Sequence, residues 1–296
     1  MPLSVLLLAL IGLSFAAPLV RLSHAPPLVI ATWRLAFSMG IVIAMLIATG
    51  EWREWRRVDR RVGGIAAAAG VMLALHFWSW NASIALTTVA ASVLLVNVQP
   101  VIVATVSAIW LREAPTRRQW AGITLAMLGA LIVAWPDLQT SMVSAPRGAL
   151  LGDLLALAGA ATAALYYLAG RRLRGTLALW PYVALVYGAC LITLLAMDLA
   201  TRAPLFPQPP REIAIFAALA VGPMMLGHTG MNWALRYLPA FVVNLTVLGE
   251  PIGATLLAAV LPGIRETPSP ATLTGGLLLL LGLLAALPRR PATASH

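Results

Sequence analysis

The chain has no lysine and a single cysteine, and only 10% of its 296 residues are charged. A soluble protein carries about 25% charged residues, so the polar surface here is too small to cover a water-exposed globule. A soluble domain is excluded and an integral membrane protein remains. Cys190, alone in an apolar stretch, excludes a disulfide framework and a paired-thiolate metal site; it reads as a small buried apolar residue. Without lysine there is no Walker A loop, so no ATP-driven pump. HExxH and GxSxG are missing, as is any pair of intramembrane aspartates for base or nucleophile work. The chain is therefore read as not an enzyme. The rings of like charge or carbonyl filters of a channel are absent too.

What is present is apolar: 60% hydrophobic residues and a mean hydropathy of +0.89. A bilayer-crossing helix needs about 20 apolar residues. That window gives ten spans, near 3–22, 28–49, 62–85, 88–110, 118–135, 149–170, 179–199, 212–235, 239–262 and 272–288. The first lacks a basic leader and reads as a span, not as a cleaved signal. A formal charge of +10 suggests nucleic acid or anionic lipid as partners. Most arginines, however, fall in short loops, where they orient the chain in a lipid bilayer instead; no nucleic-acid partner is expected. One side holds Arg53, Arg56, Arg57, Arg60, Arg61, Arg112, Arg117, Arg118, Arg171, Arg172, Arg174, Arg236, Arg289 and Arg290. The other holds Arg21, Arg147, Arg202, Arg211 and Arg265. Basic residues mark cytoplasmic loops, so both termini are expected in the cytoplasm of a multi-pass cell-membrane (inner-membrane) protein.

The chain repeats itself. At an offset of 151, Asn81 falls on Asn232, Gln99 on Glu250 and Pro100 on Pro251; slightly further out of register, REAP (112–115) matches RETP (265–268), and Gly122 and Gly129 match Gly275 and Gly282. At 147, Gly12 meets Gly159 and Trp33 meets Trp180. Five spans per copy is an odd number, so the second copy enters from the opposite side, and each equivalent loop pair has more arginine on its inner member. The expectation is an all-α polytopic membrane protein: ten transmembrane helices as two inverted five-helix repeats around a central cavity. The units are 1–135, a linker at 136–148, 149–288, and a tail at 289–296. Inverted halves exchange conformations around a midplane site, often at interrupted helices; Pro100 and Pro251 are the expected hinges. The recurring glycines predict close approach of the fifth and tenth helices, each onto its own half, with the protein a monomer.

These features resemble the EamA branch of the drug/metabolite transporter superfamily: ten spans in inverted halves, Arg34 in the second span, and ALTTVAASVLLVNVQP (85–100) against VLGEP (247–251). The resemblance covers essentially the whole chain. It implies a secondary carrier for small metabolites, amino acids and export first, with four helices of each half around the cavity and the fifth and tenth outside. Gln99 departs from the small or apolar residue expected before the first-half proline.

Candidate site residues follow. Glu250 lies at mid-membrane, where ionisable groups are rare and face a cavity or a partner; it either couples protons to substrate or braces the kink at Pro251. Arg34 either snorkels, pairs with a carboxylate such as Asp153 or Asp198, or holds a substrate carboxylate. His76 and Trp80 share one helix face, as do His228 and Asn232. With Asn81, Gln99 and one of Tyr166 and Tyr167 (Tyr166 is the candidate), they would form an aromatic, polar cavity suited to an amphipathic small molecule. The competing reading for these residues is an interfacial aromatic belt with interhelical hydrogen bonds. The histidines are second candidates for proton handling. No metal site and no cofactor is expected. Arg34 alone being clearly cationic at depth, zwitterionic, neutral or cationic substrates are favoured over dianions. A lipid flippase on the same fold is the alternative.

Overall fold

The computed structural model describes residues 2–87, 89–143, 148–250, 252–253 and 270–287. Those residues form helices and connections, with no strand among them. The first segment is α1 (Pro2–Ser14) running into α2 (Ala16–Leu22), followed by α3 (Pro27–Thr49), α4 (Arg60–Leu86), and α5 (Val89–Val96) with α6 (Gln99–Trp110). Then come α7 (Arg117–Val143), α8 (Ala149–Leu173), α9 (Leu179–Thr201), and α10 (Pro210–Leu219), which continues through a wide π-helical stretch (Ala220–Thr229) into α11 (Gly230–Ala234). Last are α12 (Ala240–Leu245) and α13 (Pro270–Ala286).

Seven of these segments are long and apolar enough to cross a membrane: Pro2–Leu22, Pro27–Thr49, Arg60–Leu86, Ala91–Trp110, Ala149–Leu173, Leu179–Thr201 and Pro210–Ala234. Ala240–Gly249 and Leu273–Ala286 are shorter apolar helices. The ninth expected span, 239–262, lies outside the described residues from 254 onward, and so do Pro251 and the tail. α7 contains the expected fifth span and continues through Pro136 to Val143, so helix occupies much of the stretch read as a linker.

Helix ends sort into two faces. At the near face, where α1 begins and α13 ends, Arg118 donates to the Leu287 carbonyl and Gln119 to the Ala286 carbonyl. There Arg171 also joins Glu113 at 2.7 Å and donates to the Leu235 carbonyl at 2.6 Å. At the far face, Glu212 accepts from Ser23 Oγ (2.5 Å) and the His24 amide (3.1 Å), and Thr87 donates to Asp153 at 2.8 Å.

Glycine sets several helix pairs, and two of them bear on the repeat. A Cβ on Gly12 of α1 would lie 2.7 Å from the Gly222 carbonyl oxygen and 2.9 Å from the Gly227 nitrogen. Only glycine lets α1 lie this close to the π-helical stretch. In the other pair, a Cβ on Gly129 would lie 2.5 Å from the Leu279 nitrogen and 2.6 Å from the Gly275 oxygen; Gly122 would meet the Gly282 oxygen at 2.7 Å. The glycine faces of α7 and α13 therefore close on each other. This corrects the expectation that each helix packs onto its own half: a seven-residue glycine period fixes which face is smooth, not which neighbour it meets.

Candidate functional site

The fourth segment breaks where α5 ends. Asn97 and Val98 form a turn, and α6 restarts at Gln99 with Pro100 in its first turn, where a missing N–H costs least. The opposing segment loosens at the equivalent depth: α12 gives way at Leu245 to a 3-10 turn, Thr246–Gly249, that leads into Glu250. The two interruptions touch, because the Gln99 side chain donates to Asn244 Oδ1.

Beside this contact lies a cavity of about 40 Å³, room for a few waters. Leu13 and Ala16 of the first segment wall it, with Arg34 of α3, His76, Phe77 and Trp80 of α4, and Val93, Val96 and Gln99 of the broken fourth segment. Tyr167 of α8, His228 of the π-helical stretch, and Val247 and Glu250 complete it. The sequence thus brings Arg34, His76, Trp80, Gln99, His228 and Glu250 to one place.

The two wall histidines are held from behind. His76 Nδ1 lies 2.9 Å from the Gly159 carbonyl; a carbonyl only accepts, so Nδ1 carries the hydrogen and Nε2 of the neutral ring is an acceptor. The His76 ring stacks on Trp80 one turn away, centroids 6.4 Å apart and 8° between planes. His228 Nδ1 lies 3.0 Å from the Tyr167 hydroxyl, which also reaches Met231 Sδ at 3.2 Å. The two imidazoles stand 6.3 Å apart.

The charged groups are not held in this way. Arg34 is 2% exposed, so it does not snorkel to either face, and its guanidinium sits 4.2 Å above the Phe77 ring. Among the described residues, its Nε and Nη2 have no hydrogen-bond partner. Asp198 instead accepts from Thr32 (2.5 Å) and Asp153 from Thr87, so neither neutralises it. Trp80 Nε1 and Glu250 Oε1, on the same wall, likewise have no partner among the described residues. No described hydrogen bond joins Glu250 to the Val247 carbonyl, where a brace for the kink would be.

Three candidates stand off the wall. Asn81 donates to the Pro27 carbonyl at 3.1 Å, beyond the cavity on the far side. Asn232 donates to the Tyr166 hydroxyl on the near side, and its backbone carbonyl accepts from Arg174 Nε at 3.1 Å. Both asparagines keep an unpartnered Oδ1. Tyr167, not Tyr166, lines the cavity. Adjacent helix positions point about 100° apart, and only the position of α4 shows which of the two faces inward. Asn97, 1% exposed with both amide atoms unpartnered, is a further buried polar group at the break.

The chain matches the model of the EamA-like transporter family over residues 1–135 and 150–287. An uncharacterized transporter of Archaeoglobus fulgidus (strain ATCC 49558 / DSM 4304 / JCM 9628 / NBRC 100126 / VC-16) is 23% identical over 291 residues, 94% of this chain and 95% of the relative. A crystal structure of a protein superposes with a TM-score of 0.77 at 19% identity, covering 96% of each chain.

Proposed function

We propose that this chain, which belongs to the EamA-like transporter family, is a secondary carrier that binds small zwitterionic metabolites in the cavity beside Glu250. Amino acids come first, moved outward across the cytoplasmic membrane with both termini in the cytoplasm. The observation that carries the reading is the set of unpartnered groups on one wall: Arg34 Nε and Nη2 and Trp80 Nε1 as donors, Glu250 Oε1 as acceptor. An unpaired buried polar group costs about 1–3 kcal/mol, and more when charged. A zwitterion supplies the missing partners in one molecule, its carboxylate to Arg34 and its ammonium to Glu250. Neutral or cationic metabolites satisfy part of the set; a dianion meets Glu250 with like charge.

Alternating access between inverted halves is supported by how equivalent residues pack. Gly122 meets Gly282 while Gly129 meets Gly275, the reciprocal pattern of a two-fold contact. Asn81 and Asn232, equivalent in the repeat, flank the cavity on opposite sides. Because the smooth faces of α7 and α13 are occupied within the chain, they offer no dimer seam, in keeping with a monomer. A lipid flippase is the second reading. It is favoured by an apolar cavity of about 380 Å³ between α1, α12 and α13, lined by leucines, Val242 and Thr246.

Counterflow in proteoliposomes with labelled amino acids tests the proposal, with and without a pH gradient, in wild type and Glu250→Gln. Saturable exchange, with gradient-driven accumulation lost in the variant, supports a carrier coupled through Glu250. Coupling intact in Glu250→Gln moves the proton to His76 and His228. Absence of amino-acid flux together with lipid scrambling sinks the amino-acid reading in favour of the flippase.

A further inference from the structure

Between α3 and α4 the chain runs EWREWRRVDR (51–60) at the near face. Gly50 ends α3 in the left-handed region (φ 68°), where a side chain is strained, and turns the chain into a short 3-10 helix, Glu51–Arg57. Asp59 then caps α4, accepting from the Val62 amide at 2.7 Å. The result is a short helix between two membrane segments, with two half-exposed indoles, Trp52 (39%) and Trp55 (41%).

Its charges are sorted by use. Glu54 accepts from the Ala178 amide at 3.0 Å, and Asp59 is committed to its cap. The exposed Arg53 and Arg56 make no ion pair among the described residues; both guanidiniums face the Trp52 ring, 5.3 and 5.9 Å from its centroid. Two cations held over one exposed indole present forked donors beside an amphipathic ring. That combination suits a phosphodiester with an acyl glycerol beneath it. We propose that Trp52, Arg53 and Arg56 form a docking surface for the headgroup of an anionic phospholipid in the near-face leaflet. The surface is tied to α9, which packs behind α3 and α4: Glu54 and Trp55, whose Nε1 donates to the Pro181 carbonyl at 3.3 Å, hold this loop to the first turn of α9. An occupied surface therefore also steadies the near end of α9.

Native mass spectrometry of the full chain, offered phosphatidylglycerol and phosphatidylcholine together, tests this without reference to transport. Wild type should retain phosphatidylglycerol in roughly thirtyfold preference, as two interfacial cations at about 1 kcal/mol each imply. The preference should vanish in Arg53→Gln/Arg56→Gln and persist in Arg60→Gln/Arg61→Gln. Trp52→Leu, which keeps every charge, should reduce it. Preference surviving in the first variant, or lost equally in the Arg60/Arg61 variant, would overturn the site. Displacement of the lipid by inorganic phosphate would also overturn it, as marking a free-anion site.

Discussion

Arg34 and Glu250 face one cavity without forming an ion pair, and both keep polar atoms with no partner. A buried ion pair satisfied within the protein would be a structural feature; a buried guanidinium and a buried carboxyl that keep unpartnered atoms on one wall are a demand for a ligand. Arg34→Gln should therefore weaken transport more than stability. Charge-assisted hydrogen bonds contribute about 1.5–3 kcal/mol, so KM in counterflow should rise roughly ten- to a hundredfold. The melting temperature should hold or rise, because a costly buried cation has gone. A collapse of the melting temperature with unchanged KM would assign Arg34 to the fold instead. Trp80→Phe keeps an aromatic ring beside His76 and removes the indole N–H together with the five-membered ring. It should raise KM by roughly fivefold, the equivalent of about 1 kcal/mol for one hydrogen bond, and lower the melting temperature through the packing lost at this buried position.

At the scale of elements, the α7–α13 seam brings backbone against backbone. A Cβ on Gly129 would meet the Leu279 nitrogen at 2.5 Å, and neither side has a flexible side chain to move. Gly129→Val should cost about 1–3 kcal/mol by overpacking, seen as a lower melting temperature. Gly64→Ala in α4, where a Cβ meets nothing within 4 Å, should be neutral or stabilising by up to about 1 kcal/mol. Equal effects of the two would show that the seam is not close-packed in the membrane. This seam also marks how far the sequence could be read. Apolar runs and Pro100 announced helices and a break, because solvent and proline act locally. The depth of Arg34 and Glu250 announced a cavity, because charge at that depth needs a reason. The partner of each glycine face, the choice of Tyr167 over Tyr166, and the Gln99–Asn244 contact depend on how distant helices dock. One sequence with a 3.6-residue period does not carry that information.

For the whole molecule, the two ends of the cavity are sealed by different chemistry. Toward the far face lies mainly an apolar cluster that includes Val20, Ile30, Trp80, Ile215 and Phe216, reinforced by Trp33 stacked on Phe216 at 6.2 Å, alongside the Glu212, Asp153 and Asn81 hydrogen bonds of that face. Toward the near face the seal is polar: Tyr166 with Asn232, Tyr187 with Thr229 at 2.9 Å, Arg174 on the Asn232 carbonyl, and Arg171 bridging Glu113 and Leu235. Hydrogen bonds exchange readily with water, whereas parting an apolar cluster exposes surface. In the alternating-access reading the near face should therefore open at lower cost, and Arg171 is its outermost fastening. Arg171→Gln loses a partly exposed ion pair, about 1 kcal/mol or less, and weakens a charge-assisted bond to Leu235. Together these correspond to a shift toward the near-open state of roughly tenfold. A reporter cysteine at Ala16, on the cavity wall, reads this out in a Cys190→Ala background. With Arg171→Gln added, a membrane-impermeant thiol reagent should label Ala16→Cys roughly tenfold faster from the near side, with no gain from the far side. Equal acceleration from both sides would mean general loosening, and an unchanged rate would mean that the Arg171 bridge does not hold the near face shut.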